Sequence, residues 1–306
     1  MSARRIQLGQ PRVEPAALAE LAARLTERDY KILDCVHEHR VLTTHQIQKM
    51  FFTLPQPTRR RLGVLHRLGA LARFRPWTPY GGGSSPGHWV LGRAGAAALA
   101  ASRNVTVAEL GYRHDTAIAI CFSSRLHHQV GVNDFFADLH AHARRSAGKA
   151  EVRKWWPERR CIELWGDLAR PDAYGRWTEN SRELDFFLEH DTGTEPLTKV
   201  AAKLGDYANL AEATGITTPV LIWLPGHTRE THLRELLTDV EVPVATAVRT
   251  SLSDGPAGAV WLPAGATSGR LRLAELAHAW PDLNLNSARS LPFGSTAAGL
   301  VGGEKK

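Results

Sequence analysis

Residues 219–224, Pro-Val-Leu-Ile-Trp-Leu, run almost without a polar position that could face water. A strand of that composition is buried on both faces, which requires helical layers above and below a sheet. The flanking sequence supplies them. Residues 126–145 are strongly helical, with Val130, Phe135, Leu139 and Ala143 among their apolar positions. Residues 151–156, 161–168 and 183–189 have strand-like composition, and 196–213 form a helix packing through Val200, Leu204, Ala208 and Ala211. The apolar run 218–224 follows, then a helix over 229–237 and strands over 242–250 and 259–262. Helix, three strands, helix, strand, helix, strand predicts an α/β sandwich around a mixed sheet. Residues 112–119 read as a connector before it.

Three acids punctuate this core. Arg170-Pro171-Asp172 precedes one strand, and Glu189-His190-Asp191 ends the apolar run of another. Thr178-Glu179-Asn180-Ser181 is rich in turn formers, so a hairpin centred near Asn180-Ser181 would set Asp172 opposite Glu189. Side chains alternate along a strand, so Glu189 and Asp191 would share a face and His190 would point away. The next helix brings Lys199 and Lys203 close behind. Carboxylate oxygens are the ligands that Mg²⁺ and Mn²⁺ prefer, and a cation there would face a phosphodiester. Asp172, Glu189, Asp191 and Lys203 are the candidate catalytic residues, the three acids also being candidate metal ligands. Asp191 has an alternative role, holding the lysine by an ion pair. The bland alternative is that the acids favour a helix N-terminus and the lysines form a solvated helical face.

The first third of the chain is built differently. Residues 1–110 hold 16 Lys and Arg against 7 Asp and Glu, whereas the remainder holds 22 against 24. Thr26 caps a helix ending near His39, and Thr43 with Gln46 three residues on makes a capping-box pattern for a second. Pro55 and Pro57 break the chain before Thr58, read as the cap of a third. On that helix Leu62, Leu65 and Leu68 share one face, Arg59, Arg60 and Arg67 lie opposite, and Arg61 snorkels beside the apolar stripe. Strands over 71–77 and 88–91 flank a glycine-rich tip, residues 79–87, and an alanine-rich helix closes the module over 93–102. Three helices followed by such a hairpin fit a winged helix-turn-helix whose third helix enters a major groove. Arg59, Arg60 and Arg67, with Arg73 and Arg75 on the wing and Thr44, Gln46, Gln56 and Thr58 nearby, are the candidate DNA contacts.

Other features narrow the class. At 306 residues two domains are expected: an arm over 1–24, the winged helix over 25–110, the α/β domain over 111–283 and a polar tail over 284–306. Cys35, Cys121 and Cys161 are isolated and offer neither a disulfide framework nor a zinc spacing. No apolar run reaches membrane-spanning length and no signal-peptide core is visible, so a cytoplasmic protein without membrane contact is expected. Gly81-Gly82-Gly83 lacks the Gly-Lys-Ser/Thr ending of a nucleotide-binding loop. Trp155, Trp156, Trp165 and Trp177 suit stacking on opened DNA less well than burial, and His128, His140 and His142 do not form a metal trio.

Leu25-Thr26-Glu27-Arg28-Asp29, Arg170-Pro171-Asp172, Glu189-His190-Asp191-Thr192-Gly193-Thr194-Glu195 and Lys203 with Tyr207 resemble, in this order, the actinobacterial replication-relaxation proteins of plasmids and conjugative elements. The resemblance spans about residues 25–265 and implies a winged helix joined to an α/β domain similar to the PD-(D/E)XK nucleases. Pro171-Asp172 would be the first acidic motif and Glu189 the second. The lysine expected two residues after the second acid is replaced by Asp191, which shifts that role to Lys203 or Lys199 on the following helix. What it implies is a protein that recognises double-stranded DNA of a mobile element and nicks it with Mg²⁺ or Mn²⁺. Other plasmid replication or transfer proteins would be partners, and a homodimer is allowed. A non-catalytic initiator or regulator with a degenerate nuclease fold, and a restriction-type defence nuclease, stand as alternatives.

Overall fold

The computed structural model describes residues 15–76, 85–249 and 254–280. The N-terminal module begins with helix α1 (Pro15–Arg24), α2 (Glu27–Glu38), strand β1 (Leu42–Thr43), α3 (Thr44–Phe51) and α4 (Pro55–Arg67). Strands β2 (Leu71–Phe74) and β3 (His88–Leu91) and helix α5 (Arg93–Ser102) complete it. Capping boxes start α2 and α3, Thr26 with Asp29 and Thr43 with Gln46, each satisfying amides that a helix start leaves open. The three strands pair antiparallel in the order β1-β3-β2. Leu21, Ile32, Ile47, Leu62, Leu65 and Leu99 fill one core beneath them. The β2–β3 connection, including the glycines expected at its tip, lies largely outside the described residues.

The expected N-terminus of the third helix is wrong by one turn. Its cap is Leu54, and Pro55 and Pro57 stand inside the first turn, where a missing N–H costs nothing. Thr58 is fully buried and its hydroxyl donates to the Leu54 carbonyl at 2.8 Å.

The second module follows α6 (His114–Ala119), a helix where a plain connector was expected. The 20-residue α7 (Leu126–Arg145) leads into β4 (Ala150–Pro157), α8 (Glu158–Trp165), β5 (Ala173–Glu179) and β6 (Arg182–His190). Then come α9 (Leu197–Thr214), β7 (Val220–Leu224), α10 (His227–Glu235), β8 (Val244–Val248) and β9 (Leu262–Pro263). Residues 161–168, expected as a strand, belong to helix α8 and the turn after it. Cys161 is buried there while Ile162 and Leu164 remain exposed, the signature of a one-sided helix whose apolar residues imitate a strand run.

Six strands form one sheet in the order β4-β5-β6-β7-β8-β9. The first three and the last pair are antiparallel, while β6-β7-β8 run parallel. The fold is therefore α/β with a mixed sheet. Asn180 (φ 50°) and Ser181 (φ 65°) form the two-residue β5–β6 turn, both left-handed, which is the geometry whose twist suits a tight hairpin. Alternation along β6 then assigns its faces. Leu184, Phe186 and Leu188 pack toward α7 with Phe135, Trp177 and Trp223, while Phe187 packs on the opposite side with Tyr207, Leu204 and Ile222.

Helix α7 serves both modules. Gln46 Nε2 donates to the Val130 carbonyl at 2.8 Å, Asn133 Nδ2 to the Val41 carbonyl at 2.6 Å, and Arg144 Nη1 to the Lys49 and Phe52 carbonyls at 2.9 Å. Lys49 pairs with Asp138 at 2.6 Å. Among the described residues no helix is long and apolar enough to cross a membrane.

Candidate active site and nucleic-acid face

The β5–β6 ladder pairs Ala173 with Leu188, so one step further sets Asp172 across from Glu189 at the open end of the hairpin. The His190 amide donates to Asp172 Oδ2 at 2.8 Å and fixes that end. Glu189 lies on the α9 side of the sheet. There Lys203 Nζ donates to its Oε2 at 2.8 Å and the Tyr207 hydroxyl donates to its Oε1. One turn of α9 separates the two donors, which is why both reach one carboxylate.

Asp172, Glu189, His190, Lys203 and the start of α7 line one cleft of about 550 Å³. It opens at the C-terminal end of β6, where the parallel strands of an α/β sheet leave a crevice. A second cavity of about 370 Å³ lies on the other side of the Glu189–Lys203 pair, against Arg170, Asp206 and Tyr207.

Three of the four expected catalytic residues, Asp172, Glu189 and Lys203, are thus brought together. Asp191 is not. It shares the Glu189 face, as alternation requires, but its carboxylate is bound by the Arg229 guanidinium of α10, and its Oδ1 also accepts from the Gly193 amide at 2.9 Å. It does not hold the lysine, the alternative role expected for it, and grips an arginine instead. Lys199 is exposed, so Lys203 is the ammonium that serves the cleft.

Two histidines outside the candidate catalytic set also line the cleft. His128 Nε2 lies 3.0 Å from Asp172 Oδ2. His190 does point away from Glu189, yet its ring lines the same cleft, because α7 carries Gly131 there. A Cβ on Gly131 would fall 2.3 Å from the ring, so only glycine admits it. The spacing His127-His128-x-x-Gly131 at a helix start was the available signal.

The charges are arranged unequally. Burial works against ionised Asp172, but the His128 bond and charge override it and hold the carboxyl below its ordinary range. Burial and then the charge of Asp172 push Glu189 up, against the pull of Lys203 and Tyr207. Burial also opposes the charged Lys203, and Glu189 overrides it and raises the amine. His128 is raised by Asp172 against its own burial, whereas burial and the neighbouring His128 push His190 down to about 4.

Two facing carboxylates suit a magnesium-type ion, which is held by one or two acids with water and phosphate oxygens. Among the described residues no three His, Cys, Asp or Glu side chains form a closed metal cage. Asp172 and Glu189 are the acids of the cleft that would hold such a cation.

On the N-terminal module Arg59, Arg60, Arg67, Arg73 and Arg75 are exposed. Among the described residues no carboxylate pairs with Arg59, Arg60 or Arg67. The polar candidates fare worse. Gln46 is buried against α7, Thr58 is buried within its own helix, and the Thr44 hydroxyl donates to the Gly87 carbonyl while accepting from Trp89 Nε1. These three hold the module together. Arg61 is bound to the buried Asp29, 2.8 Å from Nε to Oδ1. Of the tryptophans, Trp177 is fully buried, and Trp156 and Trp165 pack around Tyr174.

The replication-relaxation family model matches residues 33–221, which runs from within α2 to the start of β7 and includes every residue of the cleft. The chain belongs to the replication-relaxation family. No curated protein and no solved structure matches this replication-relaxation protein.

Proposed function

We propose that this replication-relaxation protein is a DNA-binding nickase of a plasmid or other mobile element, with a winged helix as its reading head and a PD-(D/E)XK-like cutting domain. The carrying observation is the placement of Asp172 and Glu189 at facing ends of one hairpin, in one cleft, with Lys203 on Glu189. The order α7-β4-α8-β5-β6-α9-β7, with the acids at the mouth of the central strands, supports the nuclease-like reading. Three helices backed by a β1-β3-β2 sheet, with Arg59, Arg60 and Arg67 exposed on α4, support the winged helix.

In this reading Asp172 and Glu189 hold Mg²⁺ or Mn²⁺. Such an ion would lower the pKa of a coordinated water and stabilise negative charge on the phosphoryl oxygens. Lys203, kept protonated by Glu189, offers an N–H to a phosphate oxygen. His128 holds Asp172 ionised and oriented, and Tyr207 fixes the Glu189 rotamer from the buried side.

The test is nicking of supercoiled plasmid carrying the element's own origin, with Mg²⁺ or Mn²⁺ added. Wild type should open the circle and Glu189→Gln should not, at equal origin affinity. Equal nicking by both proteins, or none by wild type, sinks the catalytic reading.

One observation favours a second reading. Each acid at the hairpin mouth already has a basic partner, His128, Lys203 or Arg229. A balanced cluster of this kind also fits a non-catalytic initiator, which would bind the origin without opening it.

A further inference from the structure

We propose that the α7 side of the cleft is a phosphate-binding subsite, formed by the first turn of α7 and the imidazole of His190. This rests on the nucleic-acid reading above and specifies where a strand's phosphate would sit.

The first element is the helix start. Helix α7 is 20 residues long, its cap position is Arg125, and no side chain caps it. The Leu126 amide donates to Ser123 and the Gln129 amide to Arg125. Among the described residues nothing accepts from the amides of His127 and His128. Orphan amides at the positive end of a long helix are a ready anion site. His127 and His128 both line the cleft, with Ser124 and Arg125 beside them.

The second element is independent of the first. His190 belongs to β6, is 3% exposed, and among the described residues has no partner for either ring nitrogen. Its ring meets that of His128 edge-on, with centroids 5.5 Å apart. A buried imidazole with both nitrogens unmet is costly and calls for an unseen partner. Gly131 has given up its side chain to admit this ring, so the arrangement is built in.

The acids of the cleft do not forbid an anion at this end. Asp172 is held by His128 and Glu189 by Lys203, Asp191 is tied to Arg229, and Glu195 is half exposed and lies 3.6 Å from Lys203. Glu189 and Glu195 face Lys203 at the α9 end, while Asp172 stands against His128 and the His190 amide, so a phosphate on α7 would share with Asp172 any cation held between them.

The test is side-chain ¹⁵N and backbone NMR of the full chain, titrated with inorganic phosphate and separately with a short oligothymidylate lacking a terminal phosphate. Saturable shifts are expected at the His190 ring and the His127 and His128 amides, with both probes. Losing one neutral hydrogen bond should weaken binding about tenfold in His190→Phe. Gly131→Ala, which displaces the ring, should do the same while keeping the circular dichroism spectrum. Absence of a saturable His190 shift with either probe, or unchanged affinity in a folded His190→Phe, overturns the subsite. Shifts with inorganic phosphate alone would overturn its assignment to a nucleic-acid strand. Should His190→Phe fail to fold, His190→Gln takes its place, and it should retain part of the affinity. Nicking can fail while these shifts persist, which would remove the nuclease reading and leave the subsite standing.

Discussion

Lys203 Nζ lies 2.8 Å from Glu189 Oε2, joining the second turn of α9 to the last residues of β6 across 14 positions of sequence. The pair replaces the geometry in which the lysine stands two residues after the acid on the same strand. That position is Asp191, and it is spent on Arg229.

The two substitutions should therefore behave differently. Lys203→Met should lower the nicking rate by about 10² to 10³, the usual effect of removing a charge that stabilises a transition state. Lys203→Arg should not rescue it fully, because the planar guanidinium cannot take the place of a compact ammonium between Glu189 and a phosphate. Asp191→Asn should instead cost stability, about 2 kcal/mol for charged hydrogen bonds lost, with less than about a tenfold change in rate. Rates from plasmid opening and urea midpoints of the same preparations check both. A collapse of activity in folded Asp191→Asn would restore that acid to the reacting centre.

DNA affinity should depend on arginines and not on the neighbouring polar residues. Replacing Arg60 and Arg67 together by Ala should lower the slope of log affinity against log salt by about 2, since each phosphate contact releases about one counterion. Thr58→Val should leave that slope unchanged and alter stability only, because its hydroxyl is buried against Leu54. Binding isotherms at several salt concentrations decide it. An unaltered slope in the double arginine variant removes α4 from the interface.

Much of this was legible in the sequence. The capping boxes at Thr26 and Thr43, the limits of α5 and α7 and the Asn180-Ser181 turn are local signals, and the turn alone sets the register that brings Asp172 to Glu189. Tertiary contacts decided the rest. Arg229 lies 38 residues beyond Asp191, and no periodicity announces that it will reach back. Residues 161–168 have the composition of a strand, yet Ile162, Leu164 and Leu168 are the exposed residues and Cys161 is the buried one. Gln46 looked like a solvent-facing cap until α7 covered it. His190 pointed away from Glu189 as alternation demands, but the cleft wraps around the end of the sheet and meets both faces.

The N-terminal module should lose stability in acid through Asp29. Its carboxylate is fully buried, caps α2 and binds Arg61, and these bonds override burial and hold its pKa below the ordinary value. The folded state then binds fewer protons than the unfolded chain just below pH 4. The contribution is complete above the unfolded pKa of about 3.9 and is lost as pH falls through the lower folded value. Asp29→Asn should destabilise by about 3 kcal/mol at pH 7, the cost of breaking a buried pair. That difference should shrink as the pH is taken below 4, which thermal melts of both proteins would show. A difference constant down to pH 3 would mean that the ion pair contributes nothing.

The contacts along α7 make the two modules one mechanical unit, and this sets a prediction about both melting and cutting. Asn133 is fully buried and donates to the Val41 carbonyl at 2.6 Å and the His39 carbonyl at 3.3 Å, tying the core helix to the loop before β1. Gln46 reaches Val130 from the other direction. In Asn133→Ala the Val41 carbonyl loses its donor and the His39 carbonyl keeps only the Val41 amide, which should cost about 1 to 3 kcal/mol. Calorimetry of the wild-type chain should give a single transition, because neither core can open without exposing the α7 contacts of the other. In Asn133→Ala the transition should broaden or split, with the N-terminal module melting first. If the protein is a nickase, rigidity of this kind fixes how far from the recognised sequence the strand is opened, so wild-type nicks should fall at one offset and those of the variant should spread over neighbouring positions. Two independent transitions in the wild-type protein would show that α7 does not couple the modules, and the fixed offset would lose its physical basis.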